Sequence, residues 1–168
     1  MNANQLKLHL ENKDICGDSH ICSDSDIGYV TLPLLMLSQR LLTRIGNLLD
    51  EKYSLSNSEL DVLAALRSSG DEEFKLTPTK LYEGLLFSSG GMTKVLKKLE
   101  KKEYIRRVDN EEDKRSKLVQ LTKSGKEILE ISLSDVIELE EKMFAHVDTQ
   151  ERKSLSDLLF KALGPDEE

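Results

Sequence analysis

Ser88-Ser89-Gly90-Gly91-Met92-Thr93-Lys94-Val95-Leu96-Lys97-Lys98-Leu99-Glu100-Lys101-Lys102-Glu103 carries the pattern from which the rest of the chain is read. Met92, Val95, Leu96 and Leu99 recur at i, i+3, i+4 and i+7, so one face of a helix must be buried. Thr93, Lys94, Lys97, Lys98, Lys101 and Lys102 fall outside that face. Ser88 or Ser89 can accept from the first free backbone N–H groups, which places the helix start there. Downstream, Tyr104-Ile105-Arg106-Arg107-Val108 and Lys117-Leu118-Val119-Gln120-Leu121 are rich in β-branched residues and partly alternating. Between them, residues 109–116 form a polar loop able to turn the chain, so a two-stranded hairpin with a charged tip follows the helix.

A lysine run alone more often marks a solvated surface than a binding site. The adjoining hairpin changes that balance, because a helix followed by a β wing is the order of a winged helix. Small residues at the helix start let its end approach DNA bases in the major groove, while lysines further along meet phosphates. The groove-facing set is Ser89, Gly91, Thr93, Lys94 and Lys97, and Lys98, Lys101 and Arg106 are placed on phosphates. At the hairpin tip Asp113 and Arg115 stand two residues apart, and the carboxylate is expected to orient the guanidinium. Arg115 is then directed at the minor groove, where narrow A·T-rich segments concentrate negative potential.

The string Asp113-Lys114-Arg115-Ser116-Lys117-Leu118-Val119-Gln120-Leu121-Thr122-Lys123-Ser124-Gly125 resembles the wing pattern D-x-R-x-x-x-V-x-L-T-x-x-G of the MarR/SlyA-type winged helix-turn-helix transcription regulators. Upstream, Leu96-x-x-Leu99-Glu100-x-x-x-Tyr104-Ile105-x-Arg107 is similar to the end of that family's recognition helix. The resemblance implies a mainly α fold with a small two-stranded β wing, its DNA-binding domain flanked by N- and C-terminal dimerisation helices. It also implies a homodimer that binds double-stranded DNA at a pseudo-palindromic operator and represses transcription. Release by a small aromatic or otherwise anionic ligand belongs to the same expectation. Glu103 departs from the pattern, since the family places glycine where the helix closes. Either Glu103 occupies positive φ at a cost, or the helix ends by another geometry.

Charge is segregated along the chain. The whole carries −7, yet residues 75–126 hold 14 lysines and arginines against 7 acidic residues, +7, while the remainder holds 10 against 24, −14. A positive segment suits phosphates, and the acidic remainder discourages indiscriminate binding.

Length and pattern set the organisation. With 168 residues the chain can bury about 70% of its unfolded surface. Residues 1–29 form a polar extension and 30–55 a first helix whose apolar positions Leu34, Leu35, Leu37, Leu41, Leu42, Ile45, Leu48 and Leu49 occupy more than one stripe. Such a helix is buried on two sides, against its own domain and a second subunit, or within a monomer core. Residues 56–122 form the winged helix-turn-helix domain. It starts with the capping box Ser56-Asn57-Ser58-Glu59 and includes Thr77-Pro78 as N-cap and first helical residue of a short helix through Leu81, Leu85 and Leu86. A turn over residues 87–91 then leads to the lysine-rich helix. Residues 123–168 supply two further dimerisation helices, one capped by Thr122 and running to about His146, the other headed by Asp148-Thr149-Gln150-Glu151.

Other classes find little support. His9, His20 and His146 are dispersed, and no nucleophile elbow, phosphate loop or H-E-x-x-H occurs, so no enzyme is expected. Cys16, His20 and Cys22 match no zinc spacing, and no cofactor is expected. A reversible oxidation of Cys16 and Cys22 is the alternative signal, and a winged helix used for protein contacts is the alternative function. No apolar run is long enough to span a bilayer or drive secretion, so a cytoplasmic protein without membrane partners is expected.

Overall fold

The computed structural model describes Gln5 and residues 27–69, 73–85, 89–111 and 113–164, and the chain divides into two units, Met1–Asn57 and Ser58–Glu168. Cys16 and Cys22 lie outside the described residues.

In the first unit α1 spans Gly28–Tyr53 and ends through Ser54 in the left-handed conformation, φ 52°. Asn57, the last residue of this unit, donates from Nδ2 to the Leu42 carbonyl at 3.0 Å.

The second unit contains α2 (Asn57–Ser69), β1 (Lys75–Leu76), α3 (Pro78–Gly84), α4 (Ser89–Lys101), β2 (Ile105–Asp109), β3 (Lys117–Leu121), α5 (Lys123–Met143) and α6 (Thr149–Leu163). Its core is drawn from one face of each element: Leu60, Leu63 and Leu66 from α2, Leu81 from α3, Met92, Leu96 and Leu99 from α4, Ile105 from β2, Val119 and Leu121 from β3, and Leu129 and Val136 from α5. The i, i+3, i+4, i+7 set of the lysine-rich helix is therefore its inner face, with Val95 half-buried at the edge.

The sheet has three antiparallel strands in the order β1-β3-β2, one more than the hairpin predicted from sequence. β1 is the strand that the sequence does not predict. It has two residues, too few to show a period, and pairs Lys75 with Gln120 and Leu76 with Val119. Phe74 enters it at φ 57°, its carbonyl accepting from Leu121 N at 3.1 Å. The Arg67 guanidinium lies 4.9 Å and the Lys126 ammonium 5.6 Å from the Phe74 ring centroid, cation–π contacts that join α2, β1 and α5.

Several boundaries follow their caps. Thr77 accepts from Lys80 N at 3.2 Å with Pro78 behind it, as predicted. α3 stops at Gly84, and Leu85 is already extended, two residues earlier than its apolar pattern implies. Gly90 and Gly91 belong to the first turn of α4 instead of the preceding loop. Thr122 accepts from Gly125 N at 3.0 Å, and α5 closes at Met143, short of His146. At α6 the Asp148 side chain accepts from Glu151 N and Glu151 accepts from Asp148 N, both at 2.9 Å, completing the expected capping box.

Candidate nucleic-acid interface

α4 turns about 100° per residue, so Thr93, Lys97, Lys101, Lys94 and Lys98 fall within an arc of about 140° opposite its buried face. All five are exposed, and the ammonium groups of Lys94, Lys97, Lys98 and Lys101 meet no acidic partner among the described residues. No acidic residue stands in the first turn of α4. The positive end of the helix dipole there favours an anion. Ser89 and Gly91 are placed in that turn, and Gly91 is half-buried.

Lys102 is different. It lies next along the chain, but its Nζ sits 2.6 Å from Glu59 Oε1, whose side chain is only 3% exposed. The Glu59 carboxylate reaches the end of α4, and Lys102 ties that end to α2 instead of facing solvent. No one-dimensional spacing could pair residues 43 positions apart.

Glu103 takes the strained option, φ 60°. Its N–H reaches the Glu100 carbonyl and the Tyr104 N–H reaches that of Leu99, both at 3.0 Å, which is the paired bonding of a Schellman helix end. The Glu103 carbonyl accepts from Thr122 Oγ1 at 2.7 Å and Ser124 Oγ at 2.9 Å. A Cβ on Gly125 would stand 2.0 Å from the Tyr104 carbonyl oxygen. The Thr-x-x-Gly string after the wing thus serves the junction between α4 and β2, where two backbones approach too closely for any side chain.

The wing pairs Ile105 with Leu121 through Asp109 with Lys117, closed at its base by Arg107 Nε to Glu100 Oε1 at 3.1 Å and near its tip by a Lys117–Asp109 ion pair. At the tip the expected Asp113–Arg115 side-chain contact is replaced by another. Asp113 Oδ1 accepts from the backbone N–H of Arg115 at 3.0 Å, and the Asp113 carbonyl accepts from Ser116 N at 2.9 Å. A short acidic side chain two residues ahead reaches the backbone more easily than a flexible guanidinium. Asn110 Nδ2 donates to Ser116 Oγ at 2.9 Å, bracing the same turn. The Arg115 guanidinium is left exposed at the tip with no partner among the described residues. Its backbone is fixed and its head is free.

Arg106, expected on a phosphate, is exposed but tethered: its Nε donates to Gln120 Oε1 at 2.7 Å, and Gln120 Nε2 donates to the Glu73 carbonyl at 3.1 Å. Gln120 is buried and sits in register between Arg106 and Lys75. It escaped the sequence reading because an amide in a strand carries no signal of its partners. Among the described residues no cluster of His, Cys, Asp or Glu could hold a metal, and no helix is long and apolar enough to cross a membrane.

This helix, wing and sheet have known counterparts. Residues 44–131 match the family described as transcriptional regulator SarA/Rot. The chain is 36% identical over 122 residues to the HTH-type transcriptional regulator SarZ of Staphylococcus aureus, covering 73% of this chain and 76% of the relative. It is 29% identical over 134 residues to the regulator PecS of Dickeya dadantii, covering 76% and 79%. Among solved structures, a MarR variant from E. coli complexed with operator DNA superposes with a TM-score of 0.65 at 29% identity, covering 83% of this chain and 99% of that one. The chain belongs to the SarA/Rot transcriptional regulators and is a DNA-binding winged-helix protein of MarR type.

Proposed function

We propose that the protein is a homodimeric repressor whose two α4 helices enter successive major grooves of a pseudo-palindromic operator. The observation that carries this reading is the stripe of exposed lysines on α4, without acidic partners among the described residues, beside a wing tip whose backbone is fixed and whose exposed Arg115 guanidinium has no partner among them. Thr93, Lys94 and Lys97, with Ser89 and Gly91, face bases; Lys98, Lys101 and Arg106 meet phosphates; Arg115 enters the adjoining minor groove. Asp113 serves by holding the turn, not by gripping the guanidinium.

Dimerisation draws on surfaces that the single chain leaves uncovered. No residue of α6 is buried, and Leu158, Phe160 and Leu163 are 64%, 72% and 79% exposed. With Ile137 of α5 and Phe144 just after its end, the α6 side chains line an apolar groove of about 510 Å³. α1 likewise exposes Tyr29, Val30, Leu35 and Leu42. Exposed apolar area on this scale is characteristic of an interface. A small aromatic acid would release the operator by favouring a spacing of the two lobes that mismatches the half-sites.

Sedimentation equilibrium together with footprinting tests the reading. The wild type should sediment as a dimer and protect two half-sites about 34 Å apart on one face of the duplex. Leu158→Asp should yield monomers and lose the paired footprint. One chain per duplex, with a single protected patch, would contradict it. Thermal shifts and DNA release with a set of aromatic acids address the ligand, and the absence of release by every member would remove that element.

A further inference from the structure

We infer that the base-reading surface is a guanine reader: Lys94 and Lys97 of α4 recognise the O6 and N7 acceptors of two nearby guanines in each half-site. The inference rests on α4 being the helix that enters the major groove, and adds what it reads there. The groove presents a distinct pattern for each base pair: guanine offers two adjacent acceptors, adenine an acceptor beside a donor, cytosine a donor, and thymine an acceptor beside a methyl group. A protein surface can select only what its own groups complement.

The exposed arc of α4 consists of Thr93, Lys94, Lys97, Lys98 and Lys101. It holds no asparagine or glutamine, the side chains that pair with adenine, and no carboxylate to accept from cytosine. Lysine only donates, with three N–H groups and no acceptor. Hydroxyls such as that of Thr93 donate and accept alike and discriminate little. Gly90 and Gly91 contribute no side chain. Directional selection therefore falls to ammonium groups, and the site with two adjacent acceptors is guanine. Lys94 and Lys97 are the lysines nearest the entering end, and their positions differ by about 4.5 Å along the axis at 1.5 Å per residue. That distance corresponds to one or two base steps, so the guanines should be neighbours or separated by one pair.

The other bases of the surface strengthen the division of labour. Glu59 holds Lys102 away from the arc, Gln120 tethers Arg106, and the lysines on the arc meet no acidic partner among the described residues. Lys98, on the flank of the arc, serves as the phosphate control.

The test is selection of operators by the full-length protein from a randomised duplex library. Each enriched guanine is then replaced by 7-deazaguanine, which lacks the N7 acceptor, and affinities are measured for wild type, Lys94→Ala, Lys97→Ala and Lys98→Ala at two salt concentrations. Two guanines within about two base steps should be enriched in each half-site. Each 7-deazaguanine should weaken wild-type binding about 10-fold, and one lysine variant should become indifferent to each replacement. Lys98→Ala, which removes one phosphate contact from each subunit, should weaken all sequences alike and lower the salt slope by about 2. Enrichment without guanines overturns the inference while leaving DNA binding intact. So does a uniform loss for Lys94→Ala and Lys97→Ala with undiminished sensitivity to 7-deazaguanine. A library from which no sequence is enriched overturns operator recognition itself, and guanine reading with it. Circular dichroism of each variant, expected to match wild type for exposed helix positions, separates misfolding from lost readout.

Discussion

α4 and α6 are both amphipathic, yet they meet opposite fates within one chain. Met92, Leu96 and Leu99 of α4 are completely buried or nearly so, while α6 buries nothing. Both have capable ends: a Schellman closure at α4 and a full capping box at α6. The difference is what each apolar face is given to pack on. α4 is enclosed by elements of its own unit and presents only its polar side. α6 leaves its apolar side exposed. Amphipathic spacing states that a face must be covered, not by what.

The largest effect should come from removing an inner side chain of α4. Leu99→Ala should cost about 2–5 kcal/mol, read as a lower urea midpoint, whereas Leu158→Ala in α6 should cost well under 1 kcal/mol at concentrations where the protein is monomeric. Equal losses would erase the contrast between the two helices. Next, Lys102→Ala removes the ammonium that lies 2.6 Å from the buried Glu59 carboxylate and should cost about 2 kcal/mol, while Lys101→Ala, one residue away on the outer arc, should cost less than about 0.5 kcal/mol. Urea unfolding of the pair, at one pH, makes that comparison direct.

At the α4–β2 junction Gly125→Ala drives a methyl into the Tyr104 carbonyl, which as backbone can yield only by shifting. About 2 kcal/mol of stability should be lost, together with DNA affinity, because the angle between α4 and the wing changes. The smallest effect is a gain: Glu103→Gly relieves a left-handed residue bearing a Cβ, and thermal unfolding should show roughly 1 kcal/mol of stabilisation, less whatever the freer unfolded chain takes back. Destabilisation would mean that the carboxylate supports the helix end by a contact that outweighs the strain.

These residues also show how far the sequence could be followed. The faces of α4, the Thr122 and Thr77 caps, the capping box at Asp148 and the two strands of the wing were legible because each is encoded within a few consecutive residues. β1 was not, since two residues have no periodicity and its pairing depends on a strand 43 or more positions away. Lys102 looks in sequence like part of the basic surface, because its partner Glu59 is distant along the chain and fits a local capping motif. Asp113 was correctly placed at the tip but given the wrong acceptor role, since spacing of two permits both the guanidinium and the backbone N–H and only geometry chooses. The substitution of glycine by Glu103 signalled a special conformation, and its bracing by Thr122 and Ser124 came from across the fold.

The most direct test is a fluorescence-anisotropy titration on DNA from upstream of the protein's own gene and on scrambled DNA, with wild type and Arg115→Ala, across a range of salt. If each subunit neutralises about five phosphates, the slope of log K against log[salt] should lie near −9. Binding to the upstream DNA should exceed binding to the scrambled duplex by at least about 10³-fold, and Arg115→Ala should weaken it about 10-fold. Equal, weak binding to both duplexes, insensitive to salt and to the loss of Arg115, would contradict the assignment of α4 and the wing tip as the operator-reading surface.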